Sequence, residues 1–423
     1  MSNPFSRLKK AITFSTMVGT LFLSPVSSGE DWPQFRGPTA QGISAAKNIP
    51  TEWSPTKNVA WKISVPGNGW ASPIVADGRI YISTAIGEET GNISLHLICY
   101  NASDGALVWD TQLFKPVVAD AKKHHKKNSI ASATPIYAEG KIYAHFGHMG
   151  TAAVDTAGKI LWKQETIKYA PVHGTGSTPA LIGNKLIFSC DGNANPFIVA
   201  LDTKDGSILW RTMRNTTAKR TFSFCTPLAI DVAGKTQMIL PGSGFVAAYN
   251  PDSGQEIWKV KYGEGYSVVP RPVFGHGLLF LSSGFDAAVL YAIKPEGAAG
   301  DATAGHIAWT QRKGAPHTPS TLLVGNELYF VADNGLASCV DAVTGNTHWT
   351  HSLGGGFSAS PILVGENIYL QNEAGKGFVI KAGKTFQLIS ENDLEERSLA
   401  SYAVTGDALL IRTEKHLWKI EAK

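Results

Sequence analysis

The stretch "DTKDGSILW" (202–210) recurs with small changes at four other places in this 423-residue chain. The other copies are "NASDGALVW" (101–109), "DTAGKILW" (155–162), "NPDSGQEIW" (250–258) and "DAVTGNTHW" (341–349). Asp or Asn at the start of a turn accepts hydrogen bonds from the amides that follow, and Gly adopts the positive φ that closes the turn. The final Trp falls on a strand, where its ring can be buried against a neighbouring unit. The repeat therefore predicts a series of similar β-sheet units.

A second repeat, a β-hairpin, comes before each turn. In "STPALIGNKLIFSCDG" (177–192), an apolar run, a Gly-Asn turn and a second apolar run follow one another. Similar hairpins cover 71–84, 133–146, 177–192, 225–242, 270–284, 319–335, 359–373 and 401–414. With a third strand and the Trp strand, each hairpin makes a four-stranded unit, and units repeating every forty to fifty residues or so are typical of propeller blades. Two stacked β-sandwiches, the alternative, would not explain eight hairpins and eight aromatic residues in register.

The ends of the chain are predicted to close the ring. The expected outer-strand aromatic residues are Trp61, Trp109, Trp162, Trp210, Trp258, Trp309, Trp349 and Phe386. Trp61 precedes the first hairpin, and the last unit (401–422) supplies only three strands, so "NVAWKIS" (58–64) should be the outer strand of the last blade. This pairing removes exposed sheet edges. The prediction is an all-β, eight-bladed propeller of four-stranded antiparallel blades over 58–423, closed by this N-terminal strand, with 29–57 as an extended strap outside the ring.

The N-terminus has the pattern of a secretion signal. Arg7, Lys9 and Lys10 precede an uncharged run, 11–23, that is too short to span a bilayer comfortably, and small residues follow. We predict a signal peptide at 1–28, with an uncleaved anchor as the alternative, and a periplasmic or secreted protein. Loss of 1–28 lowers the formal net charge from +4 to +1, so the basic composition gives little support to a nucleic-acid partner. No later stretch is predicted to cross a membrane.

These Trp-bearing repeats resemble the PQQ-like (quinoprotein/BamB-type) β-propeller repeat family. The family includes alcohol dehydrogenases that use pyrroloquinoline quinone (PQQ) and a cofactor-free outer-membrane assembly lipoprotein. The resemblance covers 58–422, and "DWPQFRGPTAQGIS" (31–44) resembles the start of exported, planctomycete-type members. The repeat is specific for the fold and only weakly specific for an activity.

Candidate binding residues are expected at one mouth of the central channel. The loops that join one blade to the next are the longest irregular segments, and all of them should surround this mouth. The basic run "KKHHKK" (122–127) lies in one loop and is typical of a solvated surface. Cationic and aromatic side chains in the loops or at inner-strand starts are predicted to bind a protein or peptide partner, or a small anionic or aromatic ligand: Trp70, His173, Arg220, Phe222, Tyr266, Arg271 and His317.

Features that the resemblance implies for quinoprotein enzymes are missing from the sequence. It has no adjacent cysteines, no carboxylates at inner-strand starts and no matching ligand set for calcium. Cys99, Cys190, Cys225 and Cys339 are scattered along the sequence. Cys190 and Cys225 are expected on the side of the same mouth, which leaves a disulfide between them open. His124-His125 and His145/His148 lack further positioned ligands, so no metal site is predicted.

The functional prediction is an exported, non-enzymatic, BamB-like binding or scaffolding propeller. No cofactor and no catalytic residues are predicted. A PQQ-dependent dehydrogenase that uses PQQ with Ca²⁺ is the main alternative, and a carbohydrate-active or hydrolytic propeller is a further one.

Overall fold

The computed structural model describes residues 31–118, 124–263, 265–286 and 288–423. The predicted signal peptide therefore lies outside the described residues, as do Lys122 and Lys123 of the basic run. Within the described ranges, strands and turns make up nearly all of the regular structure, with one 3-10 turn at Gly147–Met149. Among these residues, no helix has the length and apolar character needed to cross a membrane.

The prediction of eight four-stranded antiparallel blades is confirmed. In each blade the strands lie in chain order from the channel outward, apart from the last blade. Blades 1 to 4 contain Ile74–Ala76, Arg79–Ile86, Ser94–Asn101 and Leu107–Phe114; Ile136–Ala138, Lys141–His145, Thr151–Asp155 and Ile160–Gln164; Ala180–Ile182, Lys185–Cys190, Phe197–Asp202 and Ile208–Met213; Leu228–Val232, Lys235–Gly242, Phe245–Tyr249 and Glu256–Lys261. Blades 5 to 7 contain Val273–Gly275, Leu278–Ser282, Leu290–Ile293 and Ile307–Gln311; Leu322–Val324, Glu327–Val331, Leu336–Asp341 and Thr347–Ser352; Ile362–Val364, Asn367–Gln371, Lys376–Lys381 and Leu388–Asp393.

Blade 8 closes the ring as predicted. Its first three strands are Ala403–Thr405, Ala408–Arg412 and His416–Glu421, and its outer strand is Val59–Ser64 from the N-terminal side of the chain. The two ends pair antiparallel, with Lys62 opposite Trp418. Two short strands are added to the eight blades: Gly300–Asp301 runs parallel to the outer strand of blade 4, and Ile43–Ser44 runs parallel to the inner strand of blade 7.

The repeated turn joins neighbouring blades through its Trp and Gly. At five interfaces the indole N–H of an outer-strand Trp donates to a carbonyl in the turn of the next blade, at 3.0–3.1 Å: Trp109 to Thr156, Trp162 to Thr203, Trp210 to Pro251, Trp309 to Ala342 and Trp349 to Gly383. At the first four of these interfaces a glycine of the next turn lies against the ring, as Gly206 lies against Trp162. Asp202 fixes the same turn by accepting a hydrogen bond from the Lys204 amide at 2.8 Å. The repeat is therefore an interblade joint.

The interface between blades 7 and 8 departs from the predicted pattern. Phe386 lies in the turn before the outer strand of blade 7 and packs against Trp349, with ring centroids 5.1 Å apart, so its assignment as an outer-strand aromatic is wrong. Trp53 of the N-terminal segment packs here instead, stacking on Tyr369 and meeting Tyr402 edge-on. A Trp outside the repeats thus contributes to the core at this interface.

The prediction that the whole N-terminal segment, 29–57, lies outside the ring is wrong. Residues 32–44 cross the central channel. Trp32 exchanges two backbone hydrogen bonds with Val75 in blade 1, and the Tyr137 amide in blade 2 donates to Pro33. Farther along, the Leu363 amide in blade 7 donates to Gly42 at 2.8 Å. Inner strands have an unpaired edge facing the channel, and the segment pairs with part of it.

Candidate functional site

The mouth of the channel encloses a cavity of 520 Å³ above the N-terminal segment. Phe35, a residue of that segment, contributes to the lining of the cavity. A second cavity of 390 Å³ lies between residues 34–41 and the inner strands of blades 3 to 5, and the two cavities share no lining residue. We call the mouth cavity the chamber; the second cavity lies on the other side of the N-terminal segment.

A belt of hydroxyl groups surrounds the chamber where the inner strands begin. At this position seven blades carry Ser or Thr, and blade 5 carries Arg271; the seven are Ser72, Thr134, Thr178, Thr226, Ser320, Ser360 and Ser401. Each hydroxyl oxygen accepts a hydrogen bond from the backbone N–H at the same position of the preceding blade, at 2.8–3.2 Å. The chain of bonds is broken only between blades 4 and 5, since an arginine side chain has no acceptor. The belt therefore links the blades and presents hydroxyl groups to one space.

Aromatic and histidine side chains form one wall of the chamber. His173, Tyr266 and His317, all predicted as site residues, line it together with Phe224 and Phe285. Phe222 packs behind them, 5.2 Å from His173 and 5.4 Å from Tyr266 between ring centroids. Burial, with a contribution from nearby His125, lowers the pKa of His173 below its usual value. This wall offers flat apolar surface to a ligand.

The remaining predicted site residues take different positions. Trp70 lines the chamber on its far side, where the Arg397 guanidinium lies 5.2 Å from the ring centroid. Arg220 is exposed at the rim, 4.4 Å from the Tyr266 ring centroid and 3.9 Å from an Asp286 oxygen. The structure therefore brings Trp70, His173, Tyr266 and His317 to the chamber, with Phe222 and Arg220 around it.

Arg271 faces the channel but is covered by the N-terminal segment. Its guanidinium donates to the Pro227 carbonyl at 2.8 and 3.1 Å and to the Phe35 carbonyl at 2.9 Å. Arg36 is buried nearby and donates to the Gln41 carbonyl, while its Nε and Nη1 have no partner among the described residues. Burial and repulsion from Arg271 lower the pKa of Arg36 to about 9, and burial lowers the pKa of Arg271 to about 10. Both guanidinium groups are still charged at neutral pH.

The loop 124–129 bridges the mouth. His125 and Asn128 both donate to the His173 carbonyl, which fixes the loop to the blade 3 side. On the other side, Lys127 Nζ lies 2.7 Å from a Glu373 oxygen, and Arg397 donates to the Lys126 carbonyl at 3.1 Å. The four described residues of the basic run, 124–127, are thus tied to the rim, and only Lys126 and His125 among them are exposed.

Two carboxylates at the rim were not identified as site residues from the sequence, because "DNG" (333–335) and "EAG" (373–375) read as ordinary turns. Asp333 accepts hydrogen bonds from the His317 and Thr318 amides and from the Thr318 hydroxyl, at 2.6–3.0 Å. Burial alone would raise the pKa of Asp333, but these hydrogen bonds outweigh it and hold the pKa below its usual value. Glu373 pairs with Lys127 and accepts from Ser358. Both acids are therefore already satisfied by the protein.

The chamber does not fit the PQQ–Ca²⁺ centre that the fold suggests. No group of three or more His, Cys, Asp or Glu side chains that could hold a metal ion occurs in the described ranges. The two nearby carboxylates are occupied as hydrogen-bond acceptors, and the belt contributes neutral hydroxyls. All four cysteines are buried free thiols, so Cys190 and Cys225 do not form the disulfide considered from the sequence. Among the described residues that line the chamber, the one carboxylate, Asp333, is held by three hydrogen bonds, which does not suit the base that a quinone-dependent dehydrogenase needs.

Comparisons with known proteins agree with the propeller architecture. A family model for the outer membrane protein assembly factor BamB matches residues 90–226, 192–294, 242–385 and 298–415, which together cover 90–415. The crystal structure of BamB from Moraxella catarrhalis superposes with a TM-score of 0.60 at 16% sequence identity, covering 85% of this chain and 99% of that one. At this identity the similarity shows the fold alone.

Two relatives by sequence carry the same name. Outer membrane protein assembly factor BamB from Moranella endobia (strain PCIT) is 26% identical over 160 residues, or 36% of this chain and 36% of the relative. BamB from Yersinia pestis is 23% identical over 206 residues, or 47% of this chain and 45% of the relative. The matched regions span less than half the length of either relative.

Proposed function

The chain belongs to the family of PQQ-like repeat proteins described as outer membrane protein assembly factor BamB, and from this premise we propose that it is an exported, non-enzymatic propeller that binds another protein at its loop-rich mouth. The observation that carries the proposal is the chamber, an aromatic and polar cavity at the mouth with Phe35 of the N-terminal segment in its lining. The names of the relatives assign them to outer-membrane protein assembly, which supports a protein as the partner. The secretion-signal pattern supports a periplasmic or secreted location.

The proposed docking surface combines a recessed centre with an apolar edge. Phe285 is 52% exposed at the rim, with its ring centroid 5.1 Å from that of His317. Exposed aromatic side chains beside a pocket are the type of residue that dominates protein–protein binding energies. The surrounding polar groups, among them Arg220 and Lys126, would form the solvated rim of the interface.

Replacing Phe285 with glutamate should remove the partner. We expect recovery of co-purifying protein with the full-length, exported and C-terminally tagged chain to fall at least about tenfold, since loss of a dominant aromatic contact typically costs about 2 kcal/mol or more. Val343 is a matched control, because it is 54% exposed but lies in a turn on the opposite face. Val343→Glu should leave recovery at the wild-type level. An equal loss of co-purifying protein from both variants, or no loss from Phe285→Glu, would contradict docking at the mouth.

A further inference from the structure

The belt hydroxyls have an unused hydrogen-bonding capacity directed at the chamber. Each of the seven oxygens accepts one backbone N–H, and none of the seven hydroxyl hydrogens has a protein acceptor among the described residues. All seven groups are buried and line the same cavity. Buried hydroxyl groups normally donate as well as accept. A collar of O–H donors therefore surrounds the chamber without a protein partner.

The charges near the chamber favour a negative ligand. Arg271 lines the second cavity and donates to the carbonyl of Phe35, a residue of the chamber lining, and Arg36 follows Phe35 in the chain; neither guanidinium forms an ion pair with any described carboxylate. Two buried positive charges without a counter-ion are costly, and they make the electrostatic potential of a nearby low-dielectric cavity positive. Lys127 offsets one of the two acidic charges at the rim, because its Nζ lies 3.9 Å from an Asp333 oxygen and 2.7 Å from a Glu373 oxygen.

The shape of the chamber suits the end of a partner polypeptide. Residues 32–44 cross the channel below the belt, so an extended polypeptide that enters from the mouth meets this segment there. The loop 124–129 also narrows the entrance from above. A polypeptide that reaches the belt must stop there, and a C-terminus brings a carboxylate to its last residue. The aromatic lining beside the belt, including Trp70, Phe224 and Tyr266, suits an apolar or aromatic final side chain.

We propose that the chamber captures the C-terminal carboxylate of a partner polypeptide, with the hydroxyl belt as the carboxylate-binding group. This inference rests on the proposed function, because it names the part of the partner that enters the mouth. The carboxylate would accept O–H hydrogen bonds from belt residues such as Thr178 and Thr226, and the buried guanidinium groups would stabilise its charge from behind. Capture of a terminal carboxylate by convergent hydrogen-bond donors is an established mode of peptide recognition.

The test uses peptides that differ only at the terminal group. The melting temperature of the full-length protein is measured with acetylated tripeptides that carry each standard residue at the last position, made both as free acids and as amides. Free acids with apolar or aromatic last residues should raise the melting temperature saturably, by binding the folded state. The matching amides should bind at least about tenfold more weakly, because they lose a charge-assisted interaction.

Variants of one belt position test the site. Thr178→Val removes the hydroxyl group and should reduce the preference for acid over amide, whereas Thr178→Ser keeps the hydroxyl and should retain it. Ser223→Ala is the control, since the Ser223 hydroxyl is buried but donates to Val268 outside the chamber lining. The affinity for the free-acid peptide is compared with the affinity for the matching amide within each variant. This ratio separates recognition of the carboxylate from any change in the stability of the variant.

The outcomes separate this inference from the proposed function. Equal binding of acids and amides, no binding of either, or stabilisation by neutral oligosaccharides instead would overturn carboxylate capture. If Phe285→Glu still removes the partner in that case, the mouth remains the docking site and only the chain-end inference fails. If Phe285→Glu also has no effect, both fail.

Discussion

Substituting Arg214 with methionine is expected to lower the free energy of unfolding by about 3–5 kcal/mol, because it leaves the Asp191 carboxyl buried without its counter-charge. Arg214 and Asp191 are both almost completely buried and are joined by an ion pair. Burial raises the pKa of Asp191 to about 7 even though Arg214 opposes this shift. Arg214 also donates to the Leu240 carbonyl in blade 4 at 2.9 Å, so its loss breaks a link between two blades.

The same substitution should also weaken binding at the mouth. Arg214 begins the connection that carries Arg220, Phe222 and Phe224 to the aromatic wall. Urea unfolding of Arg214→Met and of Arg211→Met measures the stability effect. Arg211 is an exposed control three residues earlier, on the outer strand of blade 3, where its guanidinium lies 3.5 Å from the Phe197 ring centroid, and its loss should cost about 1 kcal/mol or less. A cost for Arg214→Met no larger than the cost for Arg211→Met would contradict a structural role for the buried pair.

Substituting Gly206 with alanine is expected to lower the free energy of unfolding by about 2–5 kcal/mol. Gly206 has a φ of +75°, which strains an L-residue, and an added Cβ would lie 2.5 Å from Trp162 Cε3. The backbone strain accounts for about 1–2 kcal/mol and the steric overlap for a further 1–3 kcal/mol or so. The substitution therefore tests whether the repeated turn holds adjacent blades together.

Gly234 provides the matched control for this substitution. Its φ is +76°, and an added Cβ would meet no atom within 4 Å. Gly234→Ala should therefore cost only the backbone strain, about 1–2 kcal/mol. Chemical unfolding of the two variants under the same conditions gives the difference directly. Equal costs would mean that contact between the turn and Trp162 adds nothing to stability, which would contradict the interblade joint.

The fold was predictable because each blade contains its own local signals. Asp202, Gly206 and Trp210 act within a single turn or on the adjacent blade, and similar residues recur along the chain, so their spacing reports the architecture. Phe386 was misassigned because Trp53, more than three hundred residues away, packs at that interface instead. Contacts between such distant, non-repeated residues leave no periodic signal.

The site was predictable only in part. His173, Tyr266 and His317 could be assigned to the mouth from the loops that carry them, and the structure gathers them around one cavity. The position of Arg271 under the N-terminal segment was not predictable, because residues 32–44 contain no repeat that would assign them to the channel. The Ser and Thr residues at inner-strand starts were visible in the sequence, but their hydrogen-bonded belt depends on the arrangement of all eight blades.

We propose that the channel of this propeller binds a protein partner and not a redox cofactor. The most direct test is the melting temperature of the full-length protein titrated with PQQ and Ca²⁺, because a ligand that binds only the folded state raises the melting point by mass action. We expect no saturable rise, even at high cofactor concentration. A saturable rise, with quinone absorbance retained after desalting, would contradict the proposed function and assign the chamber to a quinoprotein oxidoreductase.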